Sequence, residues 1–430
     1  MKKLQLFILL CITTVVSNAQ DNPVKDKQLI RLIGLAVNNF PKIKELQEQT
    51  KLYGIKNDLA KSSYQPTITG SANYAYIAPL PYIEFGNNKI NFAPNNNYNA
   101  AITVNQLIYD FGKIKLQLDK NKAESSLVDV NIDNSKNAVA YQVSQIYYTI
   151  QFLYKAIATQ QEQIAALKAN ENLIQAKLDN GDALRYDLLT TQVRTANATN
   201  RLEDLQNQLD KQYILLQWLT NSNEKNKLTF NTSYDPLPLV IDSIGAMKEN
   251  GEAQVLQKKI DLLQYDKKTA AYSERPTIYA SAIGGVKNGY QPNIEPMRLN
   301  GAVAVGVNIP IFNGNRPKLQ EKLTQVQVDA TKASLNTLQN NIQKDLSLNA
   351  ADFRLLTEKL KNTDILLEQA QKAYDIARVR FKNGLITNVE LLLAQTSVED
   401  ARIQQVQLQY QLQLDRLESN RIIGRKLYYN

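Results

Sequence analysis

The chain has 430 residues and a formal net charge of +9, from 50 Lys and Arg against 41 Asp and Glu. It contains no histidine and one cysteine, Cys11, which lies in a leader segment, so Ser-His-Asp and Cys-His nucleophile arrangements and the usual zinc sites are excluded. The basic surplus is spread along helical segments among Gln and Asn, which favours solvated helix faces over nucleic-acid binding.

The amino terminus has the pattern of a secretory signal. Two lysines precede an apolar run over residues 6–16, and small residues occupy 17–19. We expect cleavage of a signal peptide over residues 1–19, with Gln20 as the first mature residue, since the run is too short for a membrane anchor and has no stop-transfer flank. Leucines stand where lipidation requires a small residue before Cys11, so the mature chain is predicted to carry no thiol, disulfide or lipid anchor.

After an N-terminal helix, two segments alternate with period two and are predicted as strands at about 66–77 and 98–109. In the first segment, apolar and aromatic residues share one face, at Ile68, Ala72, Tyr74 and Tyr76. Each segment has about ten residues, the length with which a tilted strand crosses a bilayer. An ordinary antiparallel sheet that packs one face on a soluble core is the alternative.

A helical hairpin over about 113–219 follows the first strand pair. Its first arm carries apolar residues at the 3-4 spacing of a coiled-coil seam and spans roughly 100 Å at 1.5 Å per residue. Asn180 and Gly181 end this arm, because both residue types accept the left-handed conformation that lets a chain reverse. Together these elements form a first repeat over residues 20–219.

The same order of elements recurs after a predicted linker at 220–243. The second repeat has these parts: a helix from 244, strands at about 276–287 and 301–311, a helical hairpin at about 315–424, and a tail over 425–430. Its long helix ends at a second turn, Asn383 and Gly384. A duplicated hairpin of this length predicts a tube or rod.

The spacing of the two repeats follows from their shared motifs. Matching Gly112 with Gly314 sets the distance along the chain from the first copy to the second. The return helices match best when that spacing is lengthened by a single position, which brings Asp187 into register with Glu390. These two acids lie in the first turn of their helices. They would form an acidic ring if several protomers surrounded an axis, or would only favour the helix dipole.

Four strands per chain impose a constraint on any membrane-inserted form. A β-structure in hydrocarbon must close, because unpaired N–H and C=O groups at an open edge cost several kcal/mol each. Roughly eight strands make the smallest common barrel. At least two protomers must therefore pool their strands if these segments enter a membrane.

The order of these features resembles one known family. Two copies of strand pair, long helix, Asn-Gly turn and return helix, introduced by Tyr64-Gln65-Pro66 and Glu274-Arg275-Pro276, resemble the TolC-type outer-membrane efflux and export channels. The resemblance implies a mainly α protein with membrane β: a homotrimer whose 12-stranded β-barrel is continuous with an α-helical coiled-coil tunnel through the periplasm. It also implies an outer-membrane location, contact with outer-membrane lipid, a periplasmic adaptor protein at the helical tips, and an inner-membrane pump coupled through that adaptor.

The resemblance assigns roles to residues at the tips. Asp187 and Glu390 match acidic positions that narrow the tunnel entrance, and the linker matches a segment at the tunnel's equatorial region. Tip turns that meet the adaptor correspond to Asn180, Gly181, Asn383 and Gly384. Phe381 and Ile386 depart from members that have a Tyr and an Arg there, so this chain must hold its closed tip differently.

The sequence thus predicts a passive duct and not an enzyme. No cofactor or metal is expected. Substrate would pass from the adaptor and pump, in a tripartite efflux or type I secretion system, to the exterior. The alternative is a secreted structural or adhesive coiled-coil protein in which the strands form a soluble cap; a carboxylate-based glycosidase is disfavoured because no acids pair on a compact scaffold.

Overall fold

The computed structural model describes residues 26–86, 88–225, 227–230 and 243–428. The predicted signal peptide and most of the predicted linker lie outside the described residues. The elements in chain order are α1 (Lys27–Asn39), α2 (Pro41–Ser62), β1 (Thr67–Tyr76), β2 (Tyr82–Phe85), β3 (Asn88–Asn91), β4 (Asn96–Tyr109), α3 (Lys113–Asp179), α4 (Arg185–Thr220), α5 (Ser243–Glu249), α6 (Gly251–Tyr272), β5 (Thr277–Lys287), β6 (Arg298–Asn308), α7 (Arg316–Lys382) and α8 (Asn388–Ile422). The prediction of a mainly helical chain with a small sheet is confirmed.

The four long strands form one antiparallel sheet in the order β1-β4-β5-β6. The two repeats meet at β4 and β5, where Ile102 pairs with Gly284. A register shift between Leu107 and Tyr109 marks a bulge that the alternation in the sequence did not predict. β1 and β6 are the edge strands of this sheet.

Two predictions about the strands were wrong in detail. β6 spans Arg298–Asn308 and not 301–311, because Pro310 has no N–H to donate to a sheet ladder. The segment between the two predicted strands, for which no strand was predicted, contains a short ribbon in which Ile83 pairs with Ile90. Gly86, with φ +61°, contributes to the chain reversal between its strands.

The long helices correct the spacing of the two repeats. α3 and α7 both have 67 residues, so their first residues, Lys113 and Arg316, are equivalent. Two left-handed residues precede each helix, Phe111 and Gly112 in the first and Gly314 and Asn315 in the second. The match of Gly112 with Gly314 was therefore wrong by one position, because Gly112 is equivalent to Asn315. The left-handed backbone conformation sets the equivalence, and glycine is not the only residue type that adopts that conformation.

The largest core lies where the N-terminal helix packs on the middle of the long hairpin. Leu29 and Leu32 of α1 are fully buried there against α3 and α4. The predicted single N-terminal helix is two helices, because Pro41 starts α2 and has no N–H to bond the preceding turn. Leu427 and Tyr428 of the C-terminal tail are buried in the same core.

Away from this core the molecule is extended and exposes many large apolar side chains. Val303 and Ile311 are 83% and 94% exposed on the second strand pair and its exit. None of the helices in the described part of the chain is long and apolar enough to span a membrane. The apolar side chains on the sheet and on the long helices therefore lack cover within a single chain.

Candidate functional site

Both long helices end in the same hydrogen-bonded turn. The Gly181 N–H donates to Leu178 O at 3.0 Å and the Asp182 N–H to Lys177 O at 2.8 Å; the second turn repeats this pattern around Gly384. Such a Schellman turn needs a left-handed residue after the helix, and φ is +84° at Gly181 and +73° at Gly384. Asn180 and Asn383, expected to share that conformation, have φ values of −88° and −86°, so glycine alone supplies it.

The two predicted acids cap the return helices. The Leu184 N–H donates to Asp187 Oδ2 at 3.4 Å. Thr387 donates to Glu390 Oε2 through both its N–H, at 2.7 Å, and its hydroxyl, at 2.8 Å, while the Glu390 N–H donates back to Thr387 Oγ1. This is a capping box, and its hydrogen bonds hold the pKa of Glu390 below its usual value. Both acids thus have a local structural role.

A buried polar cluster joins the two tips. Asn388, at the first position of α8, is 2% exposed. Its side-chain amide donates to Thr191 Oγ1 at 3.0 Å and to Asp187 O at 3.3 Å, and its Oδ1 accepts from Asn170 at 3.0 Å. Asn388 therefore links α8 of the second hairpin to both helices of the first.

A second cross-hairpin contact lies beside that cluster. Lys177 Nζ donates to Phe381 O at 2.8 Å and lies 4.7 Å from the centre of the Phe381 ring. Phe381 is 6% exposed and packs on Ile174 and Leu391, with Ile386 at the edge of the same cluster. Within one chain, Phe381 is thus held by burial and by its contact with Lys177.

Sequence reasoning missed Asn388, Asn170 and Lys177. Asn388 follows the capping residue Thr387, so a polar side chain at that position has an ordinary explanation at the surface of a helix end. A periodicity argument cannot identify it, because only the packing of the second hairpin on the first buries it. The structure describes Asp187 and Glu390 on neighbouring tips of one chain, each in the first turn of its helix.

One buried acid lies farther along the hairpins. Glu399 of α8 accepts a hydrogen bond from Gln163 of α3 and lines a cavity of about 260 Å³ with Arg201 of α4. Burial raises the pKa of Glu399 to about 7, and the charge of Asp400 adds to the effect. The nearby Gln395 side chain and the positive charges of Arg194 and Arg201 oppose it.

Comparison with known proteins gives one family. The model of the outer membrane efflux protein family matches residues 32–222 and 248–425. BepC of Brucella suis biovar 1, an outer membrane efflux protein, is 21% identical over 354 residues, which cover 82% of this chain and 75% of BepC. SilC of Salmonella typhimurium, a probable outer membrane lipoprotein, is 20% identical over 96% of this chain and 90% of its own length.

Solved structures are similar over nearly the whole chain. CusC aligns with a TM-score of 0.77 at 15% identity, over 96% of this chain and 95% of CusC. The outer membrane protein VceC of Vibrio cholerae aligns with a TM-score of 0.74 at 16% identity, over 93% of this chain and 97% of VceC. At such identities the likeness shows the fold alone.

Proposed function

Because the chain belongs to the outer membrane efflux protein family, we propose that it is the outer-membrane channel of a tripartite efflux or type I secretion system. It is exported by its signal peptide at residues 1–19. It then passively conducts substrate from a periplasmic adaptor and an inner-membrane pump to the exterior. The pump supplies both the energy and the selection of the substrate.

One observation carries this proposal. A four-stranded sheet with two unpaired edges, β1 and β6, is continuous with helical hairpins of roughly 100 Å. Such a sheet can lie in hydrocarbon only if other copies pair with its edges. Three copies, as the family resemblance implies, give a 12-stranded barrel on a helical tunnel.

The tips are the regulated end of this channel. Asp187 and Glu390 line the constriction as an acidic ring, and the turns at Asn180–Gly181 and Asn383–Gly384 contact the adaptor. The compact turns support this assignment, because each presents only a few residues at the end of a rigid rod. Opening is a displacement of one hairpin relative to the next, biased by the adaptor.

The direct test is membrane localisation combined with conductance. We expect the purified protein to require detergent, to fractionate with outer membranes, and to give single-channel currents in planar bilayers. A secreted coiled-coil protein would be extracted without detergent and would give no currents. A monodisperse, detergent-free monomer would contradict the proposed channel.

The acidic ring has a separate test. Asp187→Ala combined with Glu390→Ala should weaken block of the channel by divalent cations, by roughly tenfold or more in the blocking concentration, because a cluster of carboxylates concentrates cations. The control is Glu358→Ala, an exposed acid on α7 that lies away from the tip. Unchanged cation block in the double variant would remove the ring from the proposal.

A further inference from the structure

The contact between the two repeats within one chain is a template for the contact between copies. α2 and α6 are equal in length, with 22 residues each, and the strands that follow them, β1 and β5, begin at the equivalent residues Thr67 and Thr277. β4, α3 and α4 of the first repeat correspond to β6, α7 and α8 of the second. For these elements, equivalent residues are found by aligning Lys113 with Arg316. A ring built from equivalent repeats has two kinds of contact with the same geometry. One joins the first and second repeats within a chain, and the other joins the second repeat of one copy to the first repeat of the next copy. This step rests on the proposed function, which requires several copies around one channel.

The apolar surface agrees with that mapping. Leu392 of α8 is 1% exposed and packs on α3 within the chain, whereas its equivalent on α4, Leu189, is 50% exposed. Leu173 of α3 packs in the tip cluster, whereas its equivalent on α7, Ile376, is 58% exposed. Surfaces that are covered between the repeats are thus uncovered where a second copy would dock, and the occupant that fits them is another copy of this chain.

The polar contacts between the two repeats within a chain are not reproduced at the equivalent positions between copies. Glu162 and Gln163 of α3 bind Arg402 and Glu399 of α8 within the chain. The equivalents of the two α3 residues on α7 are Ile365 and Leu366, both about half exposed. The equivalents of the two α8 residues on α4 are Thr199 and Ala196. The contact between copies is therefore more apolar along the shafts of the hairpins than the contact within a chain.

At the tip the mapping brings opposite charges together. The equivalent of Asn388 is Arg185, which is exposed at the first position of α4. The residues that surround Asn388 through their side chains, Asn170 and Thr191, have as equivalents Ala373 and Ala394. Two alanines replace two larger polar residues, so the space that holds an asparagine within the chain can admit an arginine between copies.

We propose that Arg185 of a neighbouring copy binds Glu390, in the place that Asn388 occupies within the chain, and that this ion pair holds adjacent tips together. Asn388 donates to the main-chain oxygen of Asp187, whose equivalent is Glu390. Arg185 can donate both to that oxygen and to the Glu390 carboxylate, because a guanidinium carries five N–H groups.

A second contact follows from the same mapping. Lys177 donates to Phe381 O within the chain, and the equivalent pair is Arg380 with Leu178 O of the neighbouring copy. Both donors are basic residues in the last turn of a long helix, which favours each helix dipole as well. Arg185 and Arg380 thus hold the closed tip. They lie at different positions from Phe381 and Ile386, where other members of the family have a Tyr and an Arg. Glu390 is then neutralised in part, and Asp187 supplies most of the unpaired charge of the ring.

Charge exchange tests the ion pair in the assembled channel. Arg185→Glu alone and Glu390→Arg alone should each raise the open probability in planar bilayers by about tenfold, because like charges then separate the tips. The double variant, with both changes, should return toward the unmodified channel. The control is Asp182→Arg, which also replaces an acid by an arginine at an exposed tip residue. Adding Arg185→Glu to this control should not return the open probability toward that of the unmodified channel. Singles that gate normally, or a double variant no better than the singles, would overturn the pairing.

Cysteine cross-linking tests the same geometry without relying on gating. Within the chain, the equivalents of Arg185 and Ala394 are Asn388 and Thr191, whose side chains are hydrogen-bonded at 3.0 Å. In a Cys11→Ala background, Arg185→Cys with Ala394→Cys should form disulfides between copies on mild oxidation. Arg185→Cys with Leu393→Cys, about 100° around the helix, should not. Membrane-localised oligomers that give no cross-link with the first pair would reject this docking, whereas absence of oligomers and currents in the unmodified protein would reject the channel itself.

Discussion

At the scale of single residues, Glu399 shows how packing between helices changes the chemistry of a side chain. An acid on a heptad-like helix is ordinarily a solvated residue on an outer face. Here α3 and α4 pack around it, and burial raises its pKa to about 7. The folded protein therefore binds a proton at Glu399 more tightly than the unfolded chain does.

This proton linkage gives a pH-dependent contribution to stability. With a folded pKa above the unfolded value, the free energy of unfolding falls as pH rises from about 4.5 to about 7 and changes no further above that range. Glu399→Gln should remove this loss, raising the free energy of unfolding at pH 8 by about 1 kcal/mol, a value reduced for the partial exposure of the group. Thermal unfolding at pH 5 and pH 8 measures the difference.

The control for that measurement is Glu358→Gln on the exposed face of α7. It makes the same chemical change without the burial and should shift the melting temperature equally at both pH values. If Glu399→Gln has no larger effect at pH 8 than at pH 5, the buried acid is not ionising in the range that its surroundings indicate.

At the scale of elements, the proposed assembly predicts the register in which the open sheet edges pair. Ile102 of β4 pairs with Gly284 of β5 at the junction of the repeats. In the equivalence of the two repeats, Ile102 corresponds to Val305 of β6 and Gly284 corresponds to Tyr74 of β1. The proposed pair between copies is therefore Val305 of one copy with Tyr74 of the next. Val305 is 74% exposed and Tyr74 is 58% exposed, so both positions are accessible to a cross-linking test.

Cysteine pairs measure that register. In a Cys11→Ala background, Val305→Cys with Tyr74→Cys should give disulfide-linked oligomers in outer membranes. Val305→Cys with Ile68→Cys, displaced by about 20 Å along the strand, should not. Cross-linking of the displaced pair, or of both pairs equally, would mean that the copies pair in another register or that the strands slip.

At the scale of the whole molecule, a single chain leaves its structure incomplete in two ways. The sheet exposes strand edges, and the long helices expose apolar residues such as Leu189, Val326 and Ile376. The largest core in the described part of the chain, where α1 packs on α3 and α4, is far too small to cover helices of roughly 100 Å. In the proposed assembly, further copies of the chain cover both the strand edges and the apolar helix surfaces.

The amino-acid sequence by itself determined the class of the protein. The duplication, the period-two strands, the seam of the long helices and the glycine turns are all local patterns, and each was visible without any contact between distant residues. The resemblance to outer-membrane efflux channels rested on the order of those patterns, and the family match confirms it.

Only the tertiary structure decided how the parts meet. The small correction to the repeat spacing came from two left-handed residues before each long helix, and the bulge near Leu107 came from pairing β4 with β5. The roles of Asn388 and Glu399 came from packing the second hairpin on the first. The bulge and both of these roles depend on residues that lie far apart in the chain, and residue spacing carries no information about which side chains a neighbouring element will bury.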